Sequence, residues 1–287
     1  MPHMSEPAEV VLTPAAQQLH KLATVRAPGT DAVIDLTVFI SCYNESAYII
    51  DTLNTVRAAL SEIGGISYEI IVIDDCSADG SANLVEGYMR STPDVRILLR
   101  RNKVNRGLAQ NYLDAAFIGK GKYYRLICGD DAEPKETMIA VFRQIGAADM
   151  IIPYYVSSQG KRLYRRILSN IYSGLVNVIG GFRLQYYNGL AVHLRYNVMR
   201  WHPNTRGFGF QAEIICMLLD NGFSYKEVPV QTVERKGGGD SRALTFRNVL
   251  SVAHTLVELL FRRLSHLAYG KIVAQSLPHG AEAKERQ

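Results

Sequence analysis

Short apolar runs alternate along this chain with longer stretches in which apolar residues recur at helical spacing. Strand-like runs fall at residues 36–41, 68–73, 95–99, 123–128 and 149–153. Helical periodicity falls between them, at residues 47–63, 81–89, 107–118 and 134–145. Continuous apolar strands that alternate with helices are typical of a mostly parallel sheet covered on both faces. The pattern therefore predicts an α/β fold.

The second half of the chain is less regular. Residues 162–181 predict one or two helices that end at Gly180-Gly181, and residues 186–199 predict strand. A helix is expected at 209–221, a strand at 225–233 and a long amphipathic helix at 245–267. We therefore expect a flexible lead-in at 1–35, one domain at 36–243, an amphipathic helix at 244–270 and a polar tail at 271–287.

The amino-acid composition indicates a globular protein but does not indicate which reaction it catalyses or which ligand it binds. Of the 287 residues 47% are hydrophobic and 21% are charged, which is usual for a globular protein. The four cysteines are scattered, which favours free thiols in a reducing compartment over a zinc site or a disulfide framework. We expect no transmembrane helix, since no apolar run reaches spanning length. We expect no signal peptide either, since the first 35 residues lack a basic region followed by an apolar one.

Positive charge is concentrated in two places, although the net charge is only +5. Lys161, Arg162, Arg165 and Arg166 form one cluster, and a second lies within 235–263. Such clusters favour phosphates, nucleic acid or an anionic membrane surface, and a solvated basic face is the simpler alternative. A nucleic-acid partner is not expected, because no aromatic-interleaved basic patch or known docking motif is present.

Three polar motifs follow three of the predicted strands. They are Tyr43-Asn44-Glu45, Asp74-Asp75, and the acidic turn Asp130-Asp131-Ala132-Glu133. Ligands of parallel sheets bind beyond the carboxyl ends of the strands, where these motifs would meet. Carboxylate oxygens suit Mg²⁺ or Mn²⁺, whose coordination is often completed by substrate phosphates. Helix capping by Asn44, by Asp74-Asp75 and by the acidic turn is the alternative explanation.

The order and spacing of these motifs resemble glycosyltransferase family 2, which has the GT-A fold. The resemblance covers roughly residues 36–260 and includes Asn105-Arg106-Gly107-Leu108 at a helix start. Further similarity, at Phe210-Gln211-Ala212-Glu213 and Glu227-Val228-Pro229-Val230, points to the polyprenyl-phosphate branch of that family. The branch includes dolichyl-phosphate mannose synthases.

The resemblance implies roles on the donor side of a cleft. Tyr43, Asn44, Glu45, Asp74 and Asp75 would hold the nucleoside of a UDP- or GDP-hexose. Asp130 and Asp131, with Glu133, would hold Mg²⁺ or Mn²⁺ at the diphosphate, and Asp131 would be a catalytic residue. The family motif has the form Asp-x-Asp, whereas here the two Asp residues are adjacent and Gly129 precedes them.

The resemblance also implies roles on the acceptor side. Arg165 and Ser169 would bind the phosphate of a polyprenyl phosphate, and Arg235, Ser241 and Arg242 would close over phosphates on a loop hinged at 237–239. Gln211 and Glu213 would line the acceptor side as catalytic residues. Glu213 would serve as general base toward a sugar hydroxyl, or would position groups if the acceptor is a phosphate.

The sequence thus predicts an inverting, metal-dependent transfer of a hexose from a nucleotide-sugar to a polyprenyl phosphate. The enzyme would act in the cytoplasm, peripherally on the inner face of the membrane, through the apolar stripes of 167–182 and 245–267. The sequence leaves open whether the protein forms a homo-oligomer. The alternatives are a transferase that acts on a sugar or glycan hydroxyl, and a non-catalytic module that binds nucleotide or membrane.

Overall fold

A seven-stranded sheet organises the part of the chain that the computed structural model describes, which is residues 34–157, 163–202, 209–231, 253–265 and 268. The strands are β1 (Leu36–Cys42), β2 (Tyr68–Asp74), β3 (Ile97–Arg101), β4 (Tyr123–Cys128), β5 (Met150–Ser157), β6 (Val192–Leu194) and β7 (Tyr225–Gln231). Their order is β3-β2-β1-β4-β6-β5-β7, and only β6 runs antiparallel to its neighbours. The predicted mostly parallel α/β sheet is confirmed.

Helices cover both faces of the sheet, because the central strands bury side chains on both sides. They are α1 (Ile49–Ile63), α2 (Ser81–Ser91), α3 (Leu108–Ile118), α4 (Lys135–Phe142), α5 (Leu163–Gly180), α6 (Arg195–Met199) and α7 (Phe210–Asp220), followed by a helix at 253–265. In β1, Val38 and Ile40 pack in one core with α1 and α4, whereas Phe39 packs in a second core with α3 and α7. Alternation along a strand thus fills two cores.

The prediction of strand over 186–199 is wrong for most of that segment. Only Val192–Leu194 forms a strand, and Arg195–Met199 is a short helix. The residues just before it are held by side chains of neighbouring elements, α5 among them, instead of a backbone ladder. For example, the side chain of Asn177 exchanges hydrogen bonds with both backbone groups of Leu184, at 2.8 and 3.0 Å. A composition rich in strand-forming residues therefore did not distinguish a true strand from a segment that is held in place by side-chain hydrogen bonds.

The predicted C-terminal helix is observed over 253–265, where it packs against α7. Thr255 is fully buried, and a Cβ added to Gly209 would lie 2.0 Å from its Oγ1. Arg262 is paired with Asp220 at 2.9 Å. Residues 1–33 of the expected lead-in at 1–35, and the tail at 271–287, lie outside the described residues. None of the described helices is both long enough and apolar enough to cross a membrane.

Candidate active site

The first two strand ends are tied together by side chains of the turns that follow them. Asn44, in the left-handed region at φ 56°, accepts a hydrogen bond on Oδ1 from the backbone of Ala78 at 2.9 Å. Ser77 and Ser81 accept hydrogen bonds from the backbones of Asn44 and Glu45 at 2.9 and 3.0 Å. Asn44 therefore joins two loops and does not cap the helix after it. The ring of Tyr43 stays 50% exposed beside this junction.

Asp75 is committed to the loop that opens α3. Its carboxylate accepts hydrogen bonds from Asn102 Nδ2 at 2.8 Å and from the backbone N–H groups of Arg106 at 2.8 Å and Gly107 at 2.9 Å. Burial opposes ionisation, but these bonds outweigh it and lower the pKa of Asp75 below its ordinary value. Asp75 thus organises the loop, whatever it also contributes to a nucleoside.

Asp74 differs from its neighbour. It is buried at the end of β2, and Oδ2 accepts a hydrogen bond from the backbone of Ser77 at 3.2 Å. Its Oδ1 is buried without a hydrogen-bond partner among the residues that the structure describes. A buried carboxylate oxygen in that state is costly unless a donor reaches it, so Asp74 is the acceptor on this side that suits a ligand N–H or O–H.

The acidic turn is fastened to β1 and α1. A Cβ added to Gly129 would lie 2.6 Å from the carbonyl oxygen of Ser41, so no side chain fits at this position. Asp131, at φ 47°, receives a hydrogen bond from Thr55 Oγ1 at 3.0 Å on its Oδ1, and its N–H donates to Thr52 Oγ1 at 3.0 Å. An Asp-x-Asp spacing that ends at Asp131 would need an Asp at position 129, and the close packing at Gly129 leaves no room for one.

Glu133 lies in an ion pair with Arg125, a residue of β4. Arg125 Nη2 is 2.5 Å from Glu133 Oε1, and the guanidinium is stacked on the ring of Phe142 at 5.1 Å. Burial raises the pKa of Glu133, and the attraction of Arg125 opposes that rise. The sequence reasoning missed Arg125, although a lone charge in an apolar strand is itself a signal of a buried partner.

Among the three residues predicted to bind metal, Asp130 is the best placed. All three are partly exposed, but Asp130 Oδ1 accepts a hydrogen bond from the N–H of Ala132 within the same turn, at 3.3 Å, whereas Asp131 is bonded to α1 and Glu133 to Arg125. Within the described parts of the chain, no three His, Cys, Asp or Glu side chains converge as a complete protein cage. Mg²⁺ and Mn²⁺ sites at substrate phosphates need only one or two carboxylates, so the donor chemistry of the turn fits such a cation. The metal role stays a prediction.

On the acceptor side, Ser169 lies in α5. The ring of Tyr186 meets that of Tyr155, on β5, edge to face with centroids 5.2 Å apart. Arg165 lies in the first turn of α5, where its side chain is outside the described residues, as are Arg235, Ser241 and Arg242 altogether. Their phosphate roles stay predictions.

The two residues predicted on α7 are both buried. Glu213 is 6% exposed and accepts a hydrogen bond from Trp201 Nε1 at 3.2 Å. Gln211 is 3% exposed, and neither of its amide atoms has a partner within the described ranges. The surroundings of Glu213 favour a positioning role over proton abstraction from an acceptor.

Comparison with known proteins gives this arrangement a family context. The family model for Glycosyl transferase family 2 matches residues 37–202. Polyprenol monophosphomannose synthase from Mycolicibacterium smegmatis is 25% identical over 234 residues, which cover 75% of this chain and 82% of that protein. Dolichol-phosphate mannosyltransferase from Saccharomyces cerevisiae is 26% identical over 192 residues, which cover 64% of this chain and 71% of the relative.

Two further matches define the limits of this likeness. Dolichyl-phosphate beta-glucosyltransferase from Dictyostelium discoideum is 34% identical, but only over 103 residues, or 34% of this chain and 32% of that protein. Among solved structures, glucosyl-3-phosphoglycerate synthase from Mycobacterium tuberculosis, in complex with Mn²⁺, UDP-glucose and phosphoglyceric acid, superposes with a TM-score of 0.56 at 15% identity. That superposition covers 80% of this chain and 79% of the synthase, and it supports the fold alone.

Proposed function

Because this chain belongs to glycosyl transferase family 2 and is a glycosyltransferase of GT-A fold, we propose that it moves a hexose from a nucleotide-sugar to a polyprenyl phosphate. The transfer would invert the anomeric configuration. A phosphate oxygen of the acceptor would attack the anomeric carbon on the side opposite the departing nucleoside diphosphate. The relatives whose own names specify polyprenol or dolichol phosphate, and which match along most of their length, support this acceptor class.

The observation that carries the lipid acceptor is the apolar face of α5, the helix that also bears Ser169. Five large side chains along this helix are exposed, which are Ile167, Leu168, Ile171, Leu175 and Val178. Val178 is 83% exposed. A helix with such a face is suited to lying in a bilayer interface, where the headgroup phosphate of a prenyl lipid is found. Ser169 would then meet the phosphate at that depth.

The helix at 253–265 supports the same position on the membrane. It buries Leu259 in the core beneath α7 and exposes Val257, Leu260, Phe261 and Leu264. Arg263 Nη2 would lie 3.2 Å from a Cβ added to Gly181, directly after α5, so the two helices are neighbours. We therefore propose that both apolar faces contact the cytoplasmic surface of a membrane.

On the donor side, each strand end would bind a different part of the nucleotide-sugar. The ring of Tyr43 and the free oxygen of Asp74 would take the nucleoside, since one is exposed and the other lacks a donor within the described residues. Asp130 would hold Mg²⁺ or Mn²⁺, with Asp131 keeping the turn against α1. When bound, the cation supplies charge neutralisation at the leaving diphosphate.

A hydroxyl acceptor is less well supported by the geometry. It would need a general base within reach of the acceptor, and Glu213 is buried against Trp201. A phosphate monoester is already anionic near neutral pH and needs no such base. A phosphate acceptor is therefore consistent with a role for Glu213 in positioning groups instead of removing a proton.

The proposal is tested by incubating the purified full chain with liposomes that contain polyprenyl phosphate, Mn²⁺ or Mg²⁺, and labelled UDP-glucose or GDP-mannose. We expect label in the lipid extract with one nucleotide and not the other, and loss of that label on adding a chelator. Donor turnover to soluble glycans, with no label in the lipid, would contradict the lipid acceptor. Nucleotide binding without any turnover would favour a non-catalytic module.

A further inference from the structure

Two threonines of α1 face the acidic turn. Thr52 and Thr55 are three residues apart in this helix and therefore lie on the same face of it. Thr52 is fully buried, and its hydroxyl donates to the carbonyl oxygen of Tyr48, four residues earlier, at 3.1 Å. That bond within the helix is the common one for a helical threonine. Thr55 is partly exposed, and its hydroxyl instead leaves the helix and donates to Asp131 Oδ1 at 3.0 Å.

Asp131 is held in a backbone conformation that side-chain sterics disfavour. Its φ of 47° lies in the left-handed region, which residues other than glycine adopt only when their surroundings determine it. Two hydrogen bonds to α1 supply that constraint: one from the N–H of Asp131 to Thr52 Oγ1 at 3.0 Å, and one from Thr55 to the carboxylate. Helix α1 therefore fixes both the backbone and the side chain of the residue directly after Asp130.

The rest of the turn is attached to the strands. The N–H of Gly129 donates to a carbonyl oxygen of β1 at 2.9 Å, and Glu133 accepts from Arg125 of β4 at 2.5 Å. Asp130 Oδ1 accepts a hydrogen bond from the N–H of Ala132 at 3.3 Å, within the turn itself. The direction of the Asp130 carboxylate thus depends on how the residues on either side of it are anchored, and the anchor on its C-terminal side is α1.

We propose that Thr55 is a positioning residue for cation binding, whose hydroxyl holds Asp131 and, with it, the turn that presents Asp130 to Mg²⁺ or Mn²⁺. Thr55 acts through Asp131 and touches neither the cation nor the substrate. Hydrogen bonds to the carboxylates of a metal site are part of its design, and losing one typically costs about 10- to 100-fold in metal affinity or activity. This inference rests on the proposed function, because it requires a cation at the turn.

The test compares Thr55→Val with wild type, using the purified full chain. Valine keeps the branched shape of the side chain and replaces the hydroxyl by a methyl group. We expect the dissociation constant of Mn²⁺, measured by electron paramagnetic resonance with UDP or GDP present, to rise about tenfold or more. The Mn²⁺ concentration that gives half-maximal transfer should rise by the same factor, with kcat at saturating Mn²⁺ little changed. A purely structural role would reduce the amount of active enzyme and leave the half-saturating concentration as it is.

Three further variants control for the change of shape. Thr55→Ser keeps a hydroxyl and should restore the Mn²⁺ affinity. Thr55→Ala lacks the hydroxyl but favours the helix, so it should behave as Thr55→Val does even if valine disturbs α1. Thr92→Val is the matched control, since Thr92 Oγ1 donates to the carbonyl oxygen of Tyr88 at 2.6 Å between α2 and the start of β3, at the opposite edge of the sheet. It should bind Mn²⁺ as wild type does.

A double-variant cycle shows whether Thr55 acts through Asp131. Once Asp131→Ala has removed the carboxylate, Thr55 has nothing left to hold, so adding Thr55→Val should not weaken Mn²⁺ binding further. Losses of affinity that multiply fully in the combined variant would overturn the coupling between the two residues.

The outcomes separate this inference from the function on which it rests. If wild type transfers hexose to the lipid with Mn²⁺, and Thr55→Val has the same half-saturating concentration, the role of Thr55 is overturned and the function stands. If wild type binds no Mn²⁺ with either nucleotide and transfers hexose in the presence of a chelator, the metal assignment fails and this inference fails with it. If the product is a soluble glycan and Thr55→Val still needs more Mn²⁺, the lipid acceptor fails and the role of Thr55 stands.

Discussion

Arg125 and Glu133 form an ion pair across 2.5 Å, and the guanidinium side is only 1% exposed. The pair lies between β4 and the acidic turn, where its third member is the carbonyl oxygen of Leu190. Arg125 Nη1 is buried without a partner among the described residues. A buried pair of this kind holds the turn in place, because separating the two charges would leave each of them buried and unpaired.

We expect Arg125→Met to lower the free energy of unfolding by about 3–5 kcal/mol, because it leaves the Glu133 carboxylate buried and unpaired. The double variant Arg125→Met/Glu133→Leu should recover most of the loss. Urea unfolding followed by circular dichroism measures both. Glu86→Gln is the control, since Glu86 pairs with Arg101 at the surface, and it should leave the midpoint unchanged. Equal losses in the single and double variants would contradict the pairing.

The sequence pattern was enough to predict what depends on local periodicity. Strands β1 to β5, their helices and the position of the acidic turn beyond β4 all follow from apolar spacing and were confirmed. The tyrosine pair could not be predicted in this way, because Tyr155 and Tyr186 meet only through tertiary packing. The different surroundings of Asp74 and Asp75 could not be predicted either. They depend on tertiary structure, because the loop at Arg106 folds back and donates its N–H to Asp75.

Metal affinity should depend on Asp130 and not on Glu133. Asp130→Asn is expected to abolish Mn²⁺ binding in the presence of nucleoside diphosphate, measured by electron paramagnetic resonance, and with it the transfer activity. Asp131→Ala should also lose activity, because it removes the carboxylate that Thr55 fixes against α1. Glu133→Gln should keep the Mn²⁺ affinity, since that carboxylate is engaged by Arg125. Undiminished activity in Asp130→Asn and Asp131→Ala would refute the metal assignment.

Gly129 should tolerate no side chain. Gly129→Ala would bring a Cβ within 2.6 Å of the Ser41 carbonyl oxygen, and overpacking of this kind costs about 1–3 kcal/mol. Gly129→Asp, which would create an Asp-x-Asp spacing, should therefore lose stability and gain no metal affinity. Gly174→Ala is the matched control: it has open space around it within α5, and thermal unfolding should show an unchanged or higher Tm.

Nucleoside binding should depend on the oxygen of Asp74 that has no partner within the described residues. Asp74→Asn keeps the shape of the side chain but replaces an acceptor, so we expect the affinity for the cognate nucleoside diphosphate to fall about tenfold or more. Isothermal titration calorimetry with UDP and GDP measures this fall and identifies the nucleotide. Asp94→Asn, at an exposed residue paired with Arg57, should bind as wild type does. Wild-type affinity in Asp74→Asn would exclude Asp74 from the site.

Stability should fall in mild acid because of His193. This residue of β6 is fully buried, neither ring nitrogen has a partner among the described residues, and burial lowers its pKa to about 4. Below about pH 6.5 the unfolded chain takes up a proton that the folded chain refuses, so the free energy of unfolding decreases as the pH falls toward 4. Between pH 7 and pH 5 we expect His193 to contribute a loss of about 2 kcal/mol.

His193→Phe isolates this contribution. Phenylalanine fills a similar volume without a group to protonate, so the variant should lose about 2 kcal/mol less than wild type between pH 7 and pH 5, measured by urea unfolding at each pH. His254→Gln, at an exposed residue of the helix at 253–265, should follow the wild-type curve. An unaltered pH dependence in His193→Phe would mean that His193 is protonated equally in both states. Acid sensitivity of the fold would then come from carboxylates whose pKa is lowered on folding, such as Asp75.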